Sequence, residues 1–282
     1  MIAFVAASPS IDRLHVVAAL RPGEIHRPER VVAVAGGKAL NAARAAHALG
    51  ADVHAVALLG GHTGRWVAAA LEAEGVRCDG VPGPGETRIC LSVSDGGALT
   101  EFYEPGPELD EAHWSALEET FARVAADATW AGVSGSLPPG APVDGPARLL
   151  RVARAAGARV ALDISGEALR LALAEAPDFV KVNADEAAEL GIADPAELRR
   201  MTRDGAAAIT HGADGMELAT PDGDTLRATP PRLGAYPVGS GDAALGGFLA
   251  ALDSGAAWPE ALARAAEAAA ANAQVPGAGR LG

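Results

Sequence analysis

The run Gly239-Ser240-Gly241-Asp242 concentrates more potential chemistry than any other four residues of the chain. Pro237 and Gly239 disfavour a continuing strand or helix, while Ala243 to Leu252 reads as a tightly packed apolar helix. The Gly-Ser-Gly turn therefore feeds a helix N-terminus, where backbone N–H groups and the positive end of the helix dipole make an anion cradle. Asp242 stands at the same place. A carboxylate there either caps the helix or acts as a base beside a phosphoryl group in transit. A second glycine turn, Gly36-Gly37, opens a helix carrying Lys38 and Asn41, three apart and so on one face. Asn183-Ala184-Asp185-Glu186 opens another helix, and Asp12 falls just past a first strand, placed to bond a hydroxyl or to form a turn. Of 23 basic residues, 21 are arginine; only Lys38 and Lys181 are lysine. Lysine offers a compact charge on a flexible stem, suited to a phosphate that moves.

The elements that would hold these residues alternate. Strands are predicted at Ile2–Ala7, Leu14–Ala19, Arg30–Val34, Val53–Leu59, Thr129–Val133, Arg159–Asp163, Phe179–Val182 and Ala206–Thr210. Helices are predicted from Ala35–Asn41 to Leu49, over Thr63–Glu74 with Thr63 as cap, and over Glu111–Ala126, Ala147–Ala156, Glu167–Ala174 and Pro259–Ala273. Arg88–Val93 and Leu99–Glu104 flank Asp95-Gly96-Gly97 as a hairpin. Together with the early strands this hairpin forms a small separate sheet, a lid drawn from about residues 11–35 and 88–104 in an otherwise α/β chain. Ser134-Gly135-Ser136-Leu137-Pro138 is a rigid loop at a strand's C-terminal end, the edge where open α/β sheets bind ligands.

Composition narrows the partners. The 282 residues suffice for one large domain with a buried core. A net charge of -13 argues against general binding to nucleic acid or anionic membranes. No charged-then-apolar leader and no apolar run of about 18 residues is seen, so a soluble cytoplasmic protein is expected. Cys78 and Cys90 are too few for a disulfide framework, and no Cys/His cluster has zinc spacing.

In order, Ser8-Pro9-Ser10-Ile11-Asp12, Gly36-Gly37-Lys38-Ala39-Leu40-Asn41, Gly85-Glu86-Thr87-Arg88, Gly106-Pro107-Glu108, Ser134-Gly135-Ser136-Leu137-Pro138, Lys181-Val182-Asn183 and Val238-Gly239-Ser240-Gly241-Asp242 resemble the ribokinase-like (PfkB) carbohydrate kinases, in the branch of 1-phosphofructokinase and tagatose-6-phosphate kinase. The resemblance implies a mostly parallel doubly wound sheet with helices on both faces and a β-clasp lid that pairs two subunits into a homodimer. It implies transfer of the ATP γ-phosphoryl group to a hydroxyl of a sugar phosphate, with Mg²⁺ accompanying ATP and K⁺ as a further candidate ion. By resemblance, Asp242 is the general base, and the N–H groups of Gly239, Ser240, Gly241 and Asp242 hold the transferring group. Asp12, Gly36, Gly37 and Asn41 correspond to sugar contacts, and Lys38, Arg88 and Ser136 to contacts with the phosphate already on the substrate. Asn183 and Glu186 match an Asn-x-x-Glu element that organises Mg²⁺ and ATP phosphates, Glu186 indirectly, with Lys181 beside them. Thr210, Gly212, Gly215 and Asn272 correspond to the nucleotide pocket.

The implied acceptor is D-fructose 1-phosphate, with tagatose 6-phosphate or fructose 6-phosphate as alternatives and a non-catalytic sugar-phosphate-binding regulator as a reading of another class. A nicotinamide dehydrogenase is excluded because no Gly-x-Gly-x-x-Gly follows the first strand. Three departures stand out. Ala39 replaces the family's usual glycine, which matters only if that residue needs positive φ or close sugar approach. Val182 replaces the usual proline. The sequence ends soon after Gly279, so the wall on the nucleotide side is expected to differ.

Overall fold

A computed structural model describes residues 1–282. The strands are β1 (Ile2–Ala6), β2 (Ser10–Val16), β3 (Arg30–Gly36), β4 (Val53–Leu59), β5 (Arg77–Pro82), β6 (Arg88–Ser94), β7 (Leu99–Tyr103), β8 (Trp130–Ser134), β9 (Arg159–Asp163), β10 (Phe179–Asn183), β11 (Ala206–Thr210), β12 (Met216–Ala219) and β13 (Thr225–Ala228). The helices are α1 (Lys38–Ala48), α2 (Gly61–Ala73), α3 (Glu111–Ala125), α4 (Gly145–Ala155), α5 (Gly166–Leu173), α6 (Ala184–Glu189), α7 (Pro195–Arg199), α8 (Ser240–Asp253) and α9 (Trp258–Asn272). No helix is long and apolar enough to cross a membrane.

Nine strands form one sheet in the order β13-β12-β11-β10-β9-β8-β1-β4-β5, all running the same way except β12, which is antiparallel to both its neighbours. Period-two alternation splits its side chains between two cores. Ile2, Phe4, Ala55, Trp130 and Phe179 face α1, α2, α8 and α9, while Ala3, Val5, Val56, Val133, Val160 and Val182 face α3, α4, α5 and α7. The chain leaves β1 in both directions, to β4 on one side and β8 on the other. That is a switch point, and the crevice beyond the C-terminal strand ends is where such sheets take ligands. Ser134, Asp163, Asn183 and Thr210 end β8, β9, β10 and β11 on this rim.

The lid is a separate sheet in the order β3-β2-β6-β7. Its first strand begins earlier than the sequence suggests. Ser10 pairs with Gly36 on one side and Arg88 on the other, so Asp12 lies within β2 rather than in a loop past β1. Thr63 is not a cap: Gly60 precedes α2, and the Thr63 hydroxyl donates to Glu86 (2.7 Å). The edge strand β5 went unforeseen because Arg77, Asp79 and Gly80 break its apolar pattern. The five-residue α7, capped by Asp194, is too short for a periodic signal. Ala39 lies in the first turn of α1, 2% exposed in the core and without positive φ, so the methyl group there demands nothing unusual of the backbone.

One packing detail sets up the site. A Cβ on Gly246 of α8 would stand 2.5 Å from the Ala42 carbonyl of α1, so the bare backbone lets the two helices touch. Their N-terminal residues, Asn41 and Asp242, are thereby brought side by side.

Candidate active site

Gly239 adopts φ +83°, a left-handed conformation suited to glycine, and is itself the N-cap of α8. Asp242 is therefore no cap. It lies in the first turn and its carboxylate is turned inward, where the Asn41 amide donates to Oδ2 (3.0 Å). Within the turn, the Ser240 N–H donates to the Pro237 carbonyl (3.0 Å), while those of Gly239, Gly241 and Asp242 have no acceptor in the protein. Asn272 does not line a cavity, contrary to expectation. It is fully buried, and its amide nitrogen donates to the Val238 carbonyl (2.8 Å) and the Ser240 hydroxyl (3.2 Å), so it holds the turn from behind.

The turn is the wall between two cavities. On the lid side, a cavity of about 380 Å³ is lined by Asp12, Gly37, Lys38, Asn41, Arg88 and Ser136 together with Gly239 and Asp242. On the other side, one of about 330 Å³ is lined by Thr210, Gly212 and Gly215 together with Ser240 and Gly241. The predicted sugar-side and nucleotide-side residues thus fall into two separate groups that meet at residues 239–242. Gly36 does not reach the lid-side cavity but packs under the Asp12 carboxyl, where a Cβ would come within 2.1 Å of Cγ. Asp12 accepts from the Ser10 hydroxyl (2.6 Å), the Gly37 N–H (3.4 Å) and the Asn41 amide (3.3 Å). One amide nitrogen therefore bridges the carboxylates of Asp12 and Asp242. The Arg88 guanidinium donates to the carbonyls of Ser8 (3.3 Å) and Glu104 (3.4 Å), and its Nε has no partner.

Both lysines converge on Asp163, which carries no motif in the sequence. Lys181 Nζ stands 2.9 Å from Asp163 Oδ2 and Lys38 Nζ 3.8 Å from Oδ1; Lys38 also lies 3.5 Å from Glu186. The signal was available: Asp163 closes a strand on the ligand-binding rim, and a lysine inside a strand, Lys181, needs a counter-charge. Lys181 is almost entirely buried and lines neither cavity; its ammonium lies behind the turn, near Gly241. Asn183 and Glu186 form a reciprocal capping box on α6, each side chain accepting the other's N–H at 2.8 Å. Also unforeseen on the lid-side wall are Ser8, Ser10, Tyr103 and Ser165.

The charges set the protonation states. Burial raises the Asp242 carboxyl most, the Asp163 charge raises it further, and Asn41, Lys38 and Lys181 pull it back, leaving it at about 7. Burial also works to raise Asp163, but Lys181 and Lys38 outweigh it and hold that carboxyl below its ordinary range. Asp163, then Glu186 and Asp242, overcome the cost of burial and raise Lys38, keeping it cationic. Two neighbouring carboxylates are thus pushed apart, one ionised and one poised near neutrality, the division of labour expected of a base and its electrostatic support.

This fold and site define a phosphotransferase of the sugar-kinase class: a turn of free amides, a base poised beside it, and a cavity on each side. The comparisons agree. The profile of the pfkB family carbohydrate kinases matches residues 2–281. A 1-phosphofructokinase of Haloferax volcanii is 35% identical over 276 residues, covering 93% of this chain and 87% of that protein. The phosphofructokinase-2 from Escherichia coli in complex with potassium superposes with a TM-score of 0.87 at 28% identity, over 99% of this chain and 94% of that one. Its complex with fructose-6-phosphate gives 0.86 at 28% identity, over 96% and 92%. The chain belongs to the pfkB carbohydrate kinase family and is an ATP-dependent sugar kinase of the phosphofructokinase type.

Proposed function

We propose that the protein phosphorylates D-fructose 1-phosphate to fructose 1,6-bisphosphate, with Asp242 as the base. The observation that carries this reading is the 239–242 turn: free N–H groups and a carboxylate near pKa 7 at the junction of two cavities. Asp242 takes the proton of the acceptor hydroxyl as its oxygen attacks the γ-phosphorus of ATP. The bond from that phosphorus to the β,γ-bridging oxygen breaks and ADP leaves. Amides of the turn stabilise the charge on the equatorial oxygens. A base with pKa near working pH is efficient because it is both ionised and a competent proton acceptor. Lys38, Arg88 and Ser136 bind the phosphate already present on the sugar, and Asp12 and Asn41 its hydroxyls.

Magnesium fits as a passenger of the nucleotide. The chain has no cluster of three His, Cys, Asp or Glu that could cage an ion; Glu186, beside Lys38 at 3.5 Å, is the carboxylate that would act on it, indirectly. Mg²⁺ commonly uses one or two carboxylates plus substrate phosphates. When bound, it would neutralise charge on the phosphates.

Fructose 6-phosphate is the competing acceptor, favoured by likeness to the Escherichia coli complex with that sugar. A coupled assay of ADP release over fructose 1-phosphate, fructose 6-phosphate, tagatose 6-phosphate and the free ketohexoses decides. The highest kcat/KM on fructose 1-phosphate is expected; a preference for another sugar overturns the assignment, and no turnover on any overturns the mechanism. The same assay with KCl replaced by NaCl reads K⁺ dependence. A homodimer through the lid goes with this reading, since Val31 and Phe102 are each 57% exposed on its outer strands; sedimentation should give twice the chain mass. A cytoplasmic location follows from the need for ATP.

A further inference from the structure

Arg44, on α1, is 3% exposed, yet none of its groups faces either cavity. Its Nε and Nη2 bond both oxygens of Glu74, at 2.5 and 2.9 Å. Its Nη1 donates to two carbonyls far apart in sequence, Ala35 (3.3 Å) and Ala278 (2.6 Å). Ala35 immediately precedes the Gly36-Gly37 turn beside Asp12. Ala278 belongs to the segment that follows α9, and that segment is wedged between the two halves of the site. A Cβ on Gly239 would meet the Ala278 Cβ at 2.6 Å, and one on Gly279 would meet the Asn41 carbonyl at the same distance. The Gly279 N–H donates to Asn272 Oδ1 (2.8 Å), the residue whose amide holds Val238 and Ser240.

We propose that Arg44 is a positioning residue for phosphoryl transfer: by pinning Ala278–Gly279 between the two glycine turns, it fixes the anion-holding turn relative to the carboxylates of the sugar side. A guanidinium is suited to this because its planar fork reaches several acceptors at once, which an ammonium on a flexible stem does not. Loosening the wedge lets Gly239–Asp242 drift from Asn41, and misplacement by about 1 Å costs on the order of 10²-fold in rate. The inference rests on the kinase reading above.

The test compares Arg44→Lys with Glu74→Gln. Glu74 lies on the outer side of the guanidinium, 38% exposed and away from both turns. Arg44→Lys is expected to lower kcat at least tenfold, with KM for ATP and sugar phosphate within threefold of wild type. Glu74→Gln leaves both carbonyl bonds in place and should keep kcat within twofold, even where it lowers the melting temperature as much. Hydrogen exchange of the ligand-free proteins provides a second readout: peptides over 236–243 should exchange faster in Arg44→Lys and not in Glu74→Gln. A folded Arg44→Lys with kcat within twofold of wild type, or kcat losses in the two variants that simply track lost stability, overturns the proposal. Should Arg44→Lys fail to fold, Gly279→Ala takes its place; a kcat loss is expected at near-normal KM for ATP, with faster exchange over 236–243, and unchanged kcat overturns. If the wild type transfers phosphate to no sugar, the kinase reading fails, and the exchange data alone judge the wedge.

Discussion

Replacing Asp242 by Asn should cripple the reaction and strengthen the fold, and pH separates the two effects. The carboxyl has an ordinary pKa of 3.8 and stands at about 7 in the folded chain. Between those values the native state holds a proton that the unfolded chain has lost, so this group's contribution to stability declines as pH rises through the window and levels off above about 7. At about 1.36 kcal/mol per pH unit, the full span amounts to about 4 kcal/mol. Asn cannot titrate, so the variant escapes this loss. The change is well accommodated locally: Asn41 Nδ2 can still donate to the new amide oxygen, and the buried Asn41 Oδ1, which has no partner, can accept from the new amide nitrogen. Urea denaturation at pH 4 and pH 8.5 should show little gain at the lower pH and a gain approaching 4 kcal/mol at the higher. Turnover should drop by roughly 10²-fold or more, the usual cost of losing a general base. Wild-type kcat/KM should fall about tenfold per unit as pH drops below about 7, since the base must be ionised. A stability difference that is the same at both pH values would refute the raised carboxyl, and near-normal turnover would refute the base.

Other substitutions probe the remaining groups. Arg88→Ala should raise KM for phosphorylated ketohexoses by about 10- to 100-fold while leaving weak activity on the free sugars unchanged, as expected for loss of a charged hydrogen bond; equal losses on both would remove Arg88 from the phosphate site. Lys181→Met leaves Asp163 fully buried with only the more distant Lys38, and should cost about 3–5 kcal/mol in a denaturant titration; Asp163→Asn in the same background should restore part of it. Ala39→Gly should cost about 1 kcal/mol, the penalty of glycine within a helix, and leave the order of preference among ketohexose phosphates unaltered. A changed order would show that the methyl group shapes the sugar site after all.

Much of this was legible from local pattern. Arg159–Asp163 and Ala206–Thr210 are strands over the expected residues because β-branched and small apolar residues run uninterrupted between polar ends. The Gly239–Asp242 turn announced itself by glycines before an apolar helix. Less visible was anything set by partners distant in sequence. Asp12 reads as a turn residue until β3 and β6 pair on either side of it. Asp163 looks like an ordinary strand end until two lysines arrive from α1 and β10. Asn272 reads from the sequence as part of the nucleotide wall, but packing of α9 against α8 turns it inward onto the catalytic turn.

The two lysines have a practical consequence for chemical labelling. Lys181 is 5% exposed and ion-paired, and the Met1 amine is paired with Asp253 at 3.3 Å. Lys38, at 39%, is therefore the more readily reached of the two lysine amines, in a chain whose other basic side chains are guanidinium and imidazole groups. An acylating reagent should modify it slowly, because its neighbours keep it protonated. Mass-spectrometric readout of that adduct, with and without nucleotide or sugar, would report occupancy of the cleft without any engineered tag.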